Sequence, residues 1–178
     1  NHAMDLGPSG YAETARALDA AGLNWFGQGE ALSLPGIDIV GLSDIDSNGS
    51  HQIELIDADL LDKLERRTSS SQVLAFVHWG REYIAEASPR ESALADDMRR
   101  RGVSAIVGAH PHVASAKIEE MGGGDVLMLY SLGNFLFDQN ADRSSGAMLE
   151  VKVFEQGTLF GRLLPLPNFF EMAKPQRN

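Results

Sequence analysis

Val73-Leu74-Ala75-Phe76-Val77 runs without a polar break into His78-Trp79-Gly80, and Val103-Ser104-Ala105-Ile106-Val107 runs into Gly108-Ala109-His110-Pro111-His112. A short apolar run closed by glycine and polar residues is the pattern of a strand buried on both faces. Between the two, Pro89 to Arg101 has helical spacing, and Gly102 supplies its stop. Two strand, loop and helix units in series predict an α/β fold.

Working outward, Ile56 to Arg67 reads as a helix whose acidic start and basic end complement its dipole. Ser69 to Ser71 closes it. Ile37 to Leu42, after Pro35-Gly36, reads as a buried strand, and Leu23, Trp25 and Phe26 alternate as a second short one. Asp44 to Ser50 reads as a loop. Pro8 to Ala21 is a further predicted helix, stopped by Gly22. Beyond His112 the pattern turns to sheet. Val113 to Ile118, Val126 to Ser131, Ala147 to Phe154 and Leu159 to Leu164 are predicted strands, joined by turns at Gly122-Gly123-Gly124 and Gln156-Gly157. That half is expected to be antiparallel, with a loosely structured tail over 165–178.

The chain has 178 residues, 43% hydrophobic and 22% charged, which is an ordinary globular composition and excludes disorder as the main description. Its 25 acidic against 15 basic residues give a net charge of −10. Such a field repels nucleic acid and anionic lipid headgroups, so neither is an expected partner. No stretch approaches the ~20 apolar residues of a membrane span. The chain has no cysteine, so any metal ligands must come from His, Asn and carboxylates. Phosphate-binding, dinucleotide, zinc-protease and serine-hydrolase signatures are absent. Ser131, before Leu132-Gly133, has no motif to make it a nucleophile. Arg66-Arg67 and Arg99-Arg100-Arg101 sit at predicted helix ends and read as solvated dipole partners, with anion binding as the alternative.

The histidines carry the clue. His78 closes one buried strand, His110 and His112 follow another, and His2 stands beside Asn1. In extended backbone His110 and His112 would face the same side, with Pro111 turned away. Strand carboxyl ends are where open α/β sheets bind ligands, and imidazoles suit first-row ions. Taken singly, each has a plain structural reading: His78 as a hydrogen-bonded loop residue, His110-Pro111-His112 as a turn, Asn1-His2 as a frayed end. His51 reads as surface, and Trp79 and Tyr83 as site walls or core.

In order along the chain, Asn1-His2-Ala3-Met4-Asp5-Leu6-Gly7, His78-Trp79-Gly80-Arg81-Glu82-Tyr83, Gly108-Ala109-His110-Pro111-His112-Val113 and Tyr130-Ser131-Leu132-Gly133-Asn134-Phe135-Leu136-Phe137-Asp138 resemble the CapA family. This is the bacterial poly-γ-glutamate capsule biosynthesis family, itself similar to calcineurin-like metallophosphoesterases. The resemblance implies a four-layer α/β/β/α sandwich with a site for two divalent ions, Mn, Zn or Fe. By motif position, Asn1, His78 and His110 would ligate one ion and His112 the other. His2 would be a catalytic imidazole near the leaving group, and Glu82, Asn134 and Asp138 would orient ligands or touch substrate. Such a site would activate water against a phosphoryl group. The pattern departs from the family at Ala109, where His is frequent, and near Ser92, where Gln is.

The resemblance further implies that residues 1–178 are the C-terminal portion of one domain whose opening strands and acidic metal ligands lie upstream. On that reading the chain alone would bind metal weakly, or at one site, and would not turn over phosphoesters. The expected partner is an anionic or phosphorylated substrate, or the capsule polymer and its synthesis machinery. The expected location is the extracytoplasmic face of the cell envelope, with any anchor upstream and the cytoplasm left open. Three functions compete: a metal-dependent hydrolase, a polymer-binding assembly component, and a degenerate fold with structural histidines.

Overall fold

A computed structural model describes residues 2–27, 30–45, 56–135 and 146–166. The first element is helix α1 (Gly7–Ala20), followed by strands β1 (Ala31–Leu34) and β2 (Ile37–Ser43). Next come helix α2 (Ala58–Thr68), strand β3 (Gln72–His78), helix α3 (Pro89–Arg100) and strand β4 (Ala105–Ala109). The rest is strand: β5 (Glu119–Met121), β6 (Val126–Leu129), β7 (Gly146–Val153) and β8 (Leu159–Leu166).

Six strands form one sheet in the order β1-β2-β3-β4-β6-β5. The central four are parallel, and β1 and β5 close the edges antiparallel. The parallel core follows from the two crossover helices, α2 between β2 and β3 and α3 between β3 and β4. Both crossovers are well capped. Asp57 accepts from the Leu60 N–H at 2.8 Å, and Ser88 and Glu91 form a reciprocal capping box at the start of α3.

Alternation along the strands divides the sheet into two buried faces. On one face Val40, Leu42, Val73, Ala75, Val77 and Ile106 pack under Leu60, Leu61 and Leu64 of α2 and Ala95 and Met98 of α3. On the other, Ile37, Ile39, Leu74, Phe76, Val107 and Leu129 meet Leu149, Val151, Val153, Leu159 and Leu163 of the β7–β8 hairpin. The described residues therefore build helix, sheet and sheet as successive layers of an α/β sandwich, with no buried residue contributed by α1.

Several sequence expectations need correction. Leu23 to Phe26 is not a strand: the Trp25 indole donates to Asp19 at 2.9 Å and its ring meets Tyr11 edge-on, so the segment folds back on α1. Val113 to Ile118 makes only an isolated bridge, Ala114 to Leu132, because the Ser115 hydroxyl and N–H are spent on the Ser131 backbone. The second half is not wholly antiparallel, since β6 joins β4 in parallel. Pro165 and Leu166 belong to β8, while 167–178 lie outside the described residues.

Candidate histidine site

The parallel strands end together at one edge of the sheet, and the site is built there. Ser43 of β2 pairs with His78 of β3, which pairs with Ala109 of β4. Leu74 and Phe76 face the hairpin, so alternation sends His78 to that side. An apolar groove lined by Phe76, Ala109, Leu132, Phe135 and Met148 continues below it on the same face.

The backbone after β4 does not stay extended as expected. His110 has φ 99° and His112 φ 59°, both left-handed, on either side of the fully buried Pro111. The reason is the close packing just before the turn. A Cβ at Gly108 would run into the Tyr130 carbonyl and the Trp79 indole, so β4 lies pressed against both. Trp79 is wholly buried; its N–H donates to the Ala109 carbonyl at 3.1 Å and its indole to the Tyr130 carbonyl at 3.0 Å. Trp79 is therefore core.

The turn nevertheless gathers the imidazoles. The His78 and His110 ring centroids are 4.8 Å apart, and those of His110 and His112 are 6.2 Å apart. Burial pushes the His78 imidazole down to about 3, helped by the positive charge that His110, His2 and His112 would carry. Burial also lowers His110, against the opposing carboxylate of Glu82. Both rings are thus uncharged at neutral pH. His112 sets its Nδ1 2.6 Å from Oδ1 of the buried Asn134, and the Tyr83 ring stacks on it at 5.9 Å.

His2 is exposed, with Nδ1 2.9 Å from a carboxylate oxygen of Asp5, and is close enough to act electrostatically on His78 and His110. Glu82 is exposed and acts on His110 in the same way. Asn1, His51 and Asp138 lie outside the described residues. Ser131 is wholly buried, its hydroxyl accepting from the Gly133 N–H, which is a structural role. Within the arginine runs, Arg67 pairs with Asp38, and Arg101 with Asp62 and Glu65.

Two features escaped the sequence reading. Asp44, taken as the start of a loop, has a buried carboxylate that accepts a two-pronged bond from Arg90, at 2.6 Å on each prong. Its N–H donates to the His78 carbonyl, so the ends of β2 and β3 and the first turn of α3 are tied together. Tyr83 is the other. No local pattern marks either contact, because the partners are far apart in sequence.

Imidazole donors suit Zn, Mn or Fe, and the uncharged state of His78 and His110 fits ligation. Among the described residues, however, no group of three or more His, Asp or Glu is arranged to hold an ion. The imidazoles have the donor chemistry that suits such ions, and among the described residues no carboxylate joins them in such a group.

Fold and site define an α/β protein whose histidines gather where sheets of this kind bind ligands. Residues 44–139 match the family described as bacterial capsule synthesis protein PGA_cap, and the chain belongs to that family. It is 30% identical to the capsule biosynthesis protein CapA of Bacillus anthracis, over 93% of this chain and 46% of that one. It is likewise 30% identical to the PGA biosynthesis protein CapA of Bacillus subtilis strain 168, over 98% of this chain and 50% of the relative. The chain thus spans about half the length of the curated relatives it matches. A crystal structure of a hypothetical protein from Thermus thermophilus aligns with a TM-score of 0.47 and 20% identity, covering 78% of this chain and 62% of that one.

Proposed function

We propose that the protein acts in capsule biosynthesis and that His78, His110 and His112 supply the imidazole ligands of a divalent metal centre that hydrolyses a phosphoester or related bond. The observation that carries this reading is the convergence of two uncharged imidazoles from adjacent strand ends, 4.8 Å apart, with a third beside them. A bound divalent ion would supply Lewis acidity at the phosphoryl group. The chain's own residues would do the rest. His78 and His110 bind, Asn1 shares that ligand set, and Asn134 orients His112. His2 holds or gives a proton at the leaving group, and Glu82 and Asp138 contact substrate or ligands. On this reading the carboxylate ligands come from outside the described residues. The substrate is anionic or phosphorylated, and the setting is the extracytoplasmic face of the envelope.

A second reading is favoured by the absence, among the described residues, of a group of three or more His, Asp or Glu arranged to hold an ion: the site binds a capsule polymer such as poly-γ-glutamate and cleaves nothing. A chain of net charge −10 repels a polyanion, so this binding would act through cations or a local basic patch. The whole protein with Mn or Zn separates the two. Hydrolysis of p-nitrophenyl phosphate that needs the metal and is lost in His112→Ala supports the first. Failure of every metal to give hydrolysis, with a salt-sensitive polyglutamate affinity that survives His112→Ala, supports the second and overturns the first.

A further inference from the structure

The His110–His112 turn is held from outside by a residue with its own unusual backbone. Tyr83 has φ 65°, a left-handed conformation that a bulky side chain adopts only when its surroundings enforce it. Its N–H donates to the Pro111 carbonyl at 2.7 Å, which stitches the loop after β3 to the middle of the histidine turn. Its ring then lies over His112, with centroids 5.9 Å apart and planes 28° from parallel. Three left-handed non-glycine residues, Tyr83, His110 and His112, therefore share one small region.

The edge of the same imidazole is fixed by Asn134. That side chain is 6% exposed, and its Oδ1 lies 2.6 Å from His112 Nδ1. The backbone around it has little freedom. Bridges run from Leu132 to Ala114 and from Gly133 to Gly146, and a Cβ at Gly146 would strike the Asn134 backbone. An amide oxygen can only accept, so the proton of a neutral His112 must sit on Nδ1, and Nε2 keeps its lone pair.

We propose that Tyr83 and Asn134 are positioning residues that hold His112 as the Nδ1–H tautomer, one from the ring face and the other from the ring edge. The consequence is chemical. A neutral His112 so held carries a lone pair at Nε2 and not an N–H. It answers an electrophilic ligand, a cation or an acidic proton, and cannot donate directly to a phosphate oxygen.

Nitrogen-15 NMR of ring-labelled histidine in the metal-free chain reads the tautomer, in alkaline buffer where histidine is neutral. The result therefore does not depend on whether a metal centre exists, and failure of metal binding would leave it standing. Wild type is expected to show His112 as one tautomer, Nδ1 at a protonated shift and Nε2 at an unprotonated one. Asn134→Asp accepts the same hydrogen bond and keeps that pattern; Asn134→Ala loses it and moves both nitrogens toward averaged shifts. Tyr83→Phe retains the stacked ring and leaves the signals in place. Tyr83→Gly, which keeps the left-handed backbone accessible while removing the ring, broadens or averages them. A wild-type Nε2–H tautomer, or unchanged His112 shifts in Asn134→Ala, would overturn the proposal. Unchanged shifts in Tyr83→Gly would overturn the part assigned to Tyr83.

Discussion

Asp38 lies near the start of β2 with its side chain buried, and a buried carboxylate is tolerable only with partners. A hydrogen bond from Ser33 and the guanidinium of Arg67, 3.0 Å away, hold its pKa below the usual value against the opposing effect of burial. A depressed carboxylate stabilises the fold above its unfolded pKa of about 4, and that contribution is lost as pH falls through the folded value. Asp38→Asn is therefore expected to be less stable than wild type at neutral pH, with the gap closing in acid. Denaturant titrations across that range check it; a gap independent of pH contradicts the assignment. At this same scale the histidines show how far single residues could be read. Their types and strand-end positions were legible in the sequence. The geometry was not: alternation placed His110 and His112 on one side of an extended strand, whereas the chain brings them together through two left-handed residues. That turn is imposed by Trp79, Tyr130 and Tyr83, whose approach no local pattern encodes.

Among the elements, those with local signals were readable. Helices α2 and α3 carry caps at Asp57 and Ser88, and β3 and β4 are apolar runs buried on both faces. Strands β1 and β5 were not read, because they are short edges whose pairing is settled by their neighbours. β5 is Glu119-Glu120-Met121, with Met121 as its single apolar residue, and forms because the glycine turn returns it along β6. The link between elements that matters most for the site is also non-local. Arg90, in the first turn of α3, grips the nearly buried carboxylate of Asp44 while its own side chain is 65% exposed. The two halves are unequal. Arg90→Ala leaves a nearly buried carboxylate without its partner and is expected to cost about 1–2 kcal/mol, since the pair is open to solvent on the arginine side, whereas Asp44→Ala leaves an arginine that water can solvate and costs less. Thermal or denaturant unfolding of the two variants gives the order directly, and a larger loss in Asp44→Ala would contradict it.

For the whole molecule, membership of the capsule synthesis family and a half-length match to its curated relatives frame what the site can be. The net charge is −10, while a pair of divalent ions at the imidazoles would make the site locally positive. The α/β class was legible from two buried strands separated by a helix. The second sheet was legible only as hairpin strands, since its packing on the far face of the first depends on contacts between distant residues. We propose that the histidine cluster is the imidazole share of a metal centre. Isothermal titration calorimetry of the chain with Zn or Mn tests it most directly. One weak equivalent is expected, abolished in His78→Ala and in His110→Ala. Two tight equivalents, or binding indifferent to both substitutions, would contradict it.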